Sequence, residues 1–212
     1  WLTALEQAPA ADLVGGLVGL TRLGERPAAL ERLATVLARP LEETTALVRA
    51  NTTARIEDGL VHWDEPFPGD RARRMLYVGD RAVPMKRGCA PDLPMFAAVL
   101  DVPFRVEDTC AATGVVIRVE FQPDGVAGVD PTGVVAALLA PELIREYAPA
   151  SLELIDVNVC AYQPFFASAD AAAGWLAAHP GGRVLTPAEM FQTSIFTYYR
   201  DHLRPLIHPE TR

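Results

Sequence analysis

Lysine is almost missing from this 212-residue chain. Lys86 is its one occurrence, and the arginines form no run longer than Arg73-Arg74. With a formal net charge of -8, the surface offers no basic stripe for phosphates, which argues against a nucleic-acid binder. No apolar stretch approaches the ~20 residues needed to cross a bilayer. The longest, 134–140, ends at Pro141-Glu142, and nothing in residues 1–30 has the pattern of a secretory signal. Cysteine is scarce as well: Cys89, Cys110 and Cys160 are widely spaced, with no Cys-x-x-Cys. That fits free thiols better than a disulfide framework and leaves His62, His179, His202 and His208 without the short ligand spacing of structural zinc. Free thiols in a reducing compartment, the cytoplasm, are the expectation. Gly-rich phosphate loops, Gly-x-Ser-x-Gly and His-Glu-x-x-His are all absent.

What is present is ordinary globular composition, 50% apolar and 22% charged in 22.9 kDa. That is enough for one domain, or a small domain beside a larger one. Residues 1–65 read as helical. Leu13, Val14, Leu17, Val18 and Leu20 recur at helical spacing and are closed by Gly24. Pro27 suits the first turn of a second helix, striped by Leu30, Leu33, Val36 and Leu37, and Pro40 opens a third. Two short β-like runs around Asp58-Gly59 then signal a hairpin. Tandem helices followed by a hairpin outline a winged helix. Its groove-facing helix, 41–50, carries Glu42 and Glu43 against one Arg49, so a packing module is preferred to a DNA reader.

The turn-rich stretch 64–70 marks the boundary, giving a winged-helix-like segment over 1–65 and a second region over 66–212. In the second region, strands are predicted at 74–78, 104–107, 115–121 and 157–160, and a buried strand or helix at 134–139. Helices are predicted at 92–100, 169–179 and 187–203. The fold class is α+β, with a mixed or antiparallel sheet and flanking helices.

Candidate chemistry centres on Gly88-Cys89-Ala90-Pro91-Asp92 and on Asn158-Val159-Cys160. Pro91 in a first helical turn puts Cys89 near an N-cap. There the positive dipole end, with Lys86 and Arg87 close in sequence, would favour thiolate. The competing reading is a buried structural cysteine. Asp92, one turn on, is either a carboxyl facing Cys89 or a plain dipole partner. Cys160 lies among apolar residues and Cys110 follows a strand into a turn; packing explains both.

The order Cys89-Ala90-Pro91-Asp92, then Cys110-Ala111-Ala112-Thr113-Gly114, then Cys160 ahead of Phe165-Phe166-Ala167-Ser168, with Trp175 beyond, resembles the organomercurial (alkylmercury) lyases. The similarity runs from about residue 77 to 203. The resemblance implies that Cys89 and Cys160 take the mercury and that Asp92 protonates the leaving carbon, with Hg(II) then held at Cys89, Cys160 and Asp92. It implies a structural Cys110, no organic cofactor, external small thiols for turnover, and mercuric reductase as a possible Hg(II) acceptor. Softness matching fits this chemistry, since thiolate is the ligand a soft metal prefers.

The chain departs from the family pattern around the thiols. Gly88 stands where an aromatic residue is common, and Ala161-Tyr162-Gln163-Pro164 stands where many members carry further Cys or His. Two other readings therefore stay open. One is a soft-metal-binding or metal-sensing protein without lyase activity. The other is a thiol-dependent enzyme acting on another carbon–metal or carbon–metalloid bond.

Overall fold

The computed structural model describes residues 9–51, 54–63, 74–85, 89–140, 142 and 159–209. The predicted boundary at 64–70, Lys86, Arg87, Gly88 and positions 157–158 lie outside them. The fold is α+β with antiparallel sheets.

Helix α1 (Pro9–Arg22) buries Leu13, Leu17 and Leu20. It ends where Gly24 turns left-handed at φ +84 and Glu25 N–H reaches back to Leu20 C=O at 3.0 Å. Pro27 does not enter a helix. Ala28–Ala29 instead forms a short strand, β1, and α2 (Leu30–Val36) follows directly. Pro40 caps α3 (Leu41–Arg49). The hairpin β2 (Ala54–Glu57) and β3 (Leu60–Trp63) turns at Asp58-Gly59, both at positive φ, as a two-residue hairpin loop requires. β1 adds to its far side, giving the order β1-β3-β2.

A five-stranded sheet, ordered β5-β4-β6-β7-β8, comprises β4 (Arg74–Val78), β5 (Arg81–Met85), β6 (Phe104–Thr109), β7 (Val116–Gln122) and β8 (Gly125–Asp130). β5 carries Pro84 and lies at an edge, where a missing N–H is tolerated. Along β7, Ile117, Val119 and Phe121 face inward and alternate with exposed neighbours. On this face lies α4 (Leu93–Leu100), all eight of whose residues are buried. A helix apolar all round belongs at the centre of a core.

A third sheet orders β10 (Phe165–Phe166), β9 (Val135–Leu138) and β11 (Arg183–Leu185). The ambiguous stretch 134–139 is thus a strand. Residues 159–160 are not: Val159 lies in a turn and Cys160 opens a 3-10 helix, Cys160–Tyr162. The stretch 169–179 holds a 3-10 turn (Asp170–Ala172) and α5 (Ala173–Ala178).

The single helix expected over 187–203 is broken. It runs as α6 (Pro187–Met190), α7 (Ser194–Tyr198), a π-helical turn (Tyr199–Leu203) and α8 (Arg204–Ile207). The break lets Phe191 pack between Phe121 and Phe196, at ring-centroid distances of 6.0 and 4.6 Å.

One buried cluster unites α1, α2, α4, the large sheet and the C-terminal helices. Glycines on α1 permit that closeness. A Cβ at Gly15 would meet Leu203 at 2.9 Å, and one at Gly19 would meet Ile207 at 2.5 Å. Arg32 fixes the other end, donating to the C=O groups of Leu206 and Ile207 at 3.1 and 3.2 Å, where a helix leaves carbonyls unpaired. No helix among the described residues is long and apolar enough to cross a membrane.

Candidate active site

The start of the buried helix α4 is where Cys89 and Asp92 come near Cys160. A 3-10 turn, Ala90–Asp92, precedes α4 and has Pro91 inside it, with Cys89 extended ahead of it. Asp92 folds back so that its Oδ2 accepts the Cys89 backbone N–H. The aspartate is therefore a partner of the helix start. It is also more than that, because the same oxygen lies 3.9 Å from the Cys160 sulfur.

The three groups separated in sequence meet in space. The sulfurs of Cys89 and Cys160 and a carboxylate oxygen of Asp92 all lie within 4.8 Å of one another. Cys89 is buried at 3% exposure, whereas Cys160 and Asp92 are half-buried. Of the two thiols in the cluster, Cys160 is the more exposed.

Burial works against the activation that a helix start would give Cys89. Burial pushes its thiol well above the usual range, and the neighbouring Cys160 and Asp92 push it further.

Cys110 is set apart from this cluster. Its sulfur accepts the Ala167 N–H at 3.3 Å, and its own N–H donates to Val115 C=O at 2.8 Å. Burial raises its pKa, but hydrogen bonds from the Thr113 side chain and from the backbone at Ala167, Ala112 and Thr113 outweigh that and leave it below the usual value. These contacts tie the strand end at Cys110 to the loop at Ala167.

Gln163 was not singled out from the sequence. Buried at 3% exposure, it donates from Nε2 to the Cys89 sulfur at 3.2 Å, while its Oε1 accepts the Leu139 N–H at 2.9 Å. Its signals were its position three residues after Cys160 and its place in the divergent stretch Ala161-Tyr162-Gln163-Pro164. Trp175 donates to Tyr162 C=O at 2.8 Å and stacks on His179 at 4.5 Å between ring centroids. It thereby holds the far end of the Cys160–Tyr162 turn. Tyr162 itself is 50% exposed beside Cys160. A separate apolar cavity of about 870 Å³ lies between Val18, Trp63, Leu76, Met85 and Phe96. None of the three clustered groups lines it.

Comparison with known proteins gives this arrangement a family. The alkylmercury lyase family model matches residues 84–198, more than half of the chain. The alkylmercury lyase of Streptomyces lividans is 29% identical over 174 residues, covering 79% of this chain and 73% of that protein. The alkylmercury lyase of Bacillus cereus is 26% identical over 176 residues, covering 80% and 73%. A solved structure described as the mercury-bound form of MerB2 shares the fold, with TM-score 0.51 and 16% identity, over 84% of this chain and 82% of that one. The chain belongs to the alkylmercury lyase family of enzymes.

Proposed function

We propose that the protein cleaves carbon–mercury bonds by protonolysis, releasing a hydrocarbon and leaving Hg(II) between Cys89 and Cys160, with Asp92 as the acid. The observation that carries this reading is the meeting of two sulfurs and one carboxylate within 4.8 Å.

Thiolate is the preferred ligand of a soft metal ion. Cys160, the more exposed thiol, exchanges with the small thiol that brings in R–Hg and forms R–Hg–S. Cys89 then attacks the mercury and gives up its proton to Asp92, the carboxylate beside it. A second sulfur on mercury raises the electron density on the bound carbon. Asp92 returns the proton to that carbon, the C–Hg electron pair becomes the new C–H bond, and R–H leaves. Hg(II) stays bound to two sulfurs, and the carboxylate is regenerated. The proton comes from Cys89, so no cofactor enters the balance. Retention of a carboxylate supports catalysis over simple metal capture, because sulfur alone suffices to capture mercury and only proton transfer needs the acid.

The remaining roles follow from this reading. Small thiols carry away Hg(II), or mercuric reductase accepts it, in the cytoplasm. Residues 66–212 carry the chemistry. Residues 1–65 form a winged-helix-like segment, supported by the order helix, strand, two helices, hairpin. Glu42 and Glu43 in the first turn of α3 suit a packing role better than contact with phosphate.

Asp92→Asn tests the assignment. It should take up one phenylmercury per chain, visible in the intact mass, and release no benzene. Benzene at the parental rate would remove Asp92 from the mechanism.

A further inference from the structure

We propose that Gln163 is a positioning residue for Cys89. Its carboxamide orients the buried sulfur toward Cys160 and Asp92 and sets the separation of the two mercury-binding thiols. The inference rests on the reading of Cys89 and Cys160 as the mercury ligands.

The direction of the carboxamide follows from its partners. Leu139 N–H can only donate, so the atom facing it at 2.9 Å is the amide oxygen. The NH₂ group then faces the Cys89 sulfur at 3.2 Å. This is a polar side chain at 3% exposure with both ends engaged, one on the end of a core strand and one on a reactive sulfur.

The backbone of the same residue completes the tie. Gln163 C=O accepts the Ala90 N–H at 3.1 Å, and Gln163 N–H donates to Cys160 C=O at 3.2 Å. Gln163 thus joins three pieces of chain: the turn holding Cys89, the turn holding Cys160, and β9.

Two variants separate this role from packing and from charge. Gln163→Met keeps the volume and removes both hydrogen bonds. Gln163→Glu keeps an acceptor for Leu139 N–H and removes the donor to sulfur. Hg(II) retention is measured against a competing monothiol, alongside turnover of phenylmercury and thermal melting. Both variants are expected to lose retention by roughly 10–100-fold, as for other groups that orient metal ligands, with kcat falling more than KM rises; melting falls in Gln163→Met, which leaves the Leu139 N–H without its acceptor, and less in Gln163→Glu, which keeps that acceptor. Gln163→Met with parental retention and kcat would overturn the proposal. So would a defect confined to Gln163→Glu, which would report only an added charge.

If neither variant folds, the parent protein labelled with ¹⁵N-glutamine gives the answer. The Gln163 side-chain NH₂, identified by its proximity to the Leu139 amide, should exchange slowly and shift on Hg(II) addition. Free exchange with no response to mercury overturns the inference. Retention is read without turnover, so a parent that binds Hg(II) yet releases no hydrocarbon defeats the lyase reading and leaves this one to the retention result.

Discussion

Replacing Asp108 by alanine should damage this protein more than almost any other change outside the thiol cluster. Arg74 and Asp108 are 6% and 5% exposed, and the carboxylate takes both Nε and a terminal nitrogen of the guanidinium at 2.8 Å. The other carboxylate oxygen accepts the Thr109 N–H at 2.7 Å. Among the described residues, Arg74 is otherwise met by the Phe165 ring at 5.3 Å and the Met85 sulfur at 4.0 Å. Alanine at this position leaves a buried cation and a backbone N–H without their acceptor, a change that costs about 3–5 kcal/mol. With a urea slope of ~2 kcal/mol/M, a ~4 kcal/mol loss moves the unfolding midpoint down by ~2 M.

Function should follow, because Phe165 is two residues from Gln163 and its C=O accepts the Ala111 N–H at 3.3 Å. Urea unfolding followed by tryptophan fluorescence checks the magnitude. The double variant Arg74→Met with Asp108→Leu should recover most of the loss, since replacing a buried pair by apolar groups is often neutral or better. An Asp108→Ala midpoint within ~0.3 M of the parent, a loss under ~1 kcal/mol at that slope, would refute the reasoning.

Gly19→Ala should destabilise despite alanine's helix advantage of about 1 kcal/mol. The new Cβ would sit 2.5 to 3.2 Å from three atoms of fully buried Ile207, and overpacking costs about 1–3 kcal/mol. Gly174→Ala, with nothing within 4 Å, should instead stabilise by up to about 1 kcal/mol; urea midpoints compare the two. Asp12 gives a pH signature. Burial raises its carboxyl above the ordinary 3.8, only partly offset by Arg39 and Tyr198. The stabilising protonated form is fully present below that value and is lost as pH rises through the raised one. An asparagine side chain does not titrate, so the stability of the parent relative to Asp12→Asn should fall across that window and then level off. A flat difference between the two proteins from acid to neutral pH would contradict the raised pKa.

Local signals carried much of the fold. Asp58-Gly59 announced its hairpin because the turn's backbone demands belong to those two residues. The α4 run was legible because its apolar content is dense. What failed depended on distant partners. β8 holds Gly125 and Gly128 and has no clean alternation, and pairing with β7 makes it a strand. The C-terminal helix contains no proline or glycine between 188 and 203, so nothing local marks the break at 191–193. The aromatic packing of Phe191 on Phe121 occupies it. At the site, the three clustered groups were found through the order of motifs. No periodicity brings position 89 beside 160. Gln163 escaped notice because its partners Cys89 and Leu139 are 74 and 24 residues away, and a glutamine among Ala161, Tyr162 and Pro164 carries no pattern. The sequence left Cys89 between an activated thiol at a helix start and a buried cysteine, because dipole and neighbouring charge are visible in a sequence whereas burial, which raises its pKa, is not.

The central claim is proton delivery to a mercury-bound carbon by this cluster, and hydrocarbon release tests it most directly. The protein is incubated with phenylmercury and, separately, with methylmercury in excess small thiol, and benzene or methane is quantified by gas chromatography. Cys89→Ala, Cys160→Ala and Asp92→Ala are run in parallel. The account predicts repeated turnover by the parent and its loss in all three variants. Tight Hg(II) binding with no hydrocarbon from either substrate would contradict it and make the protein a mercury binder.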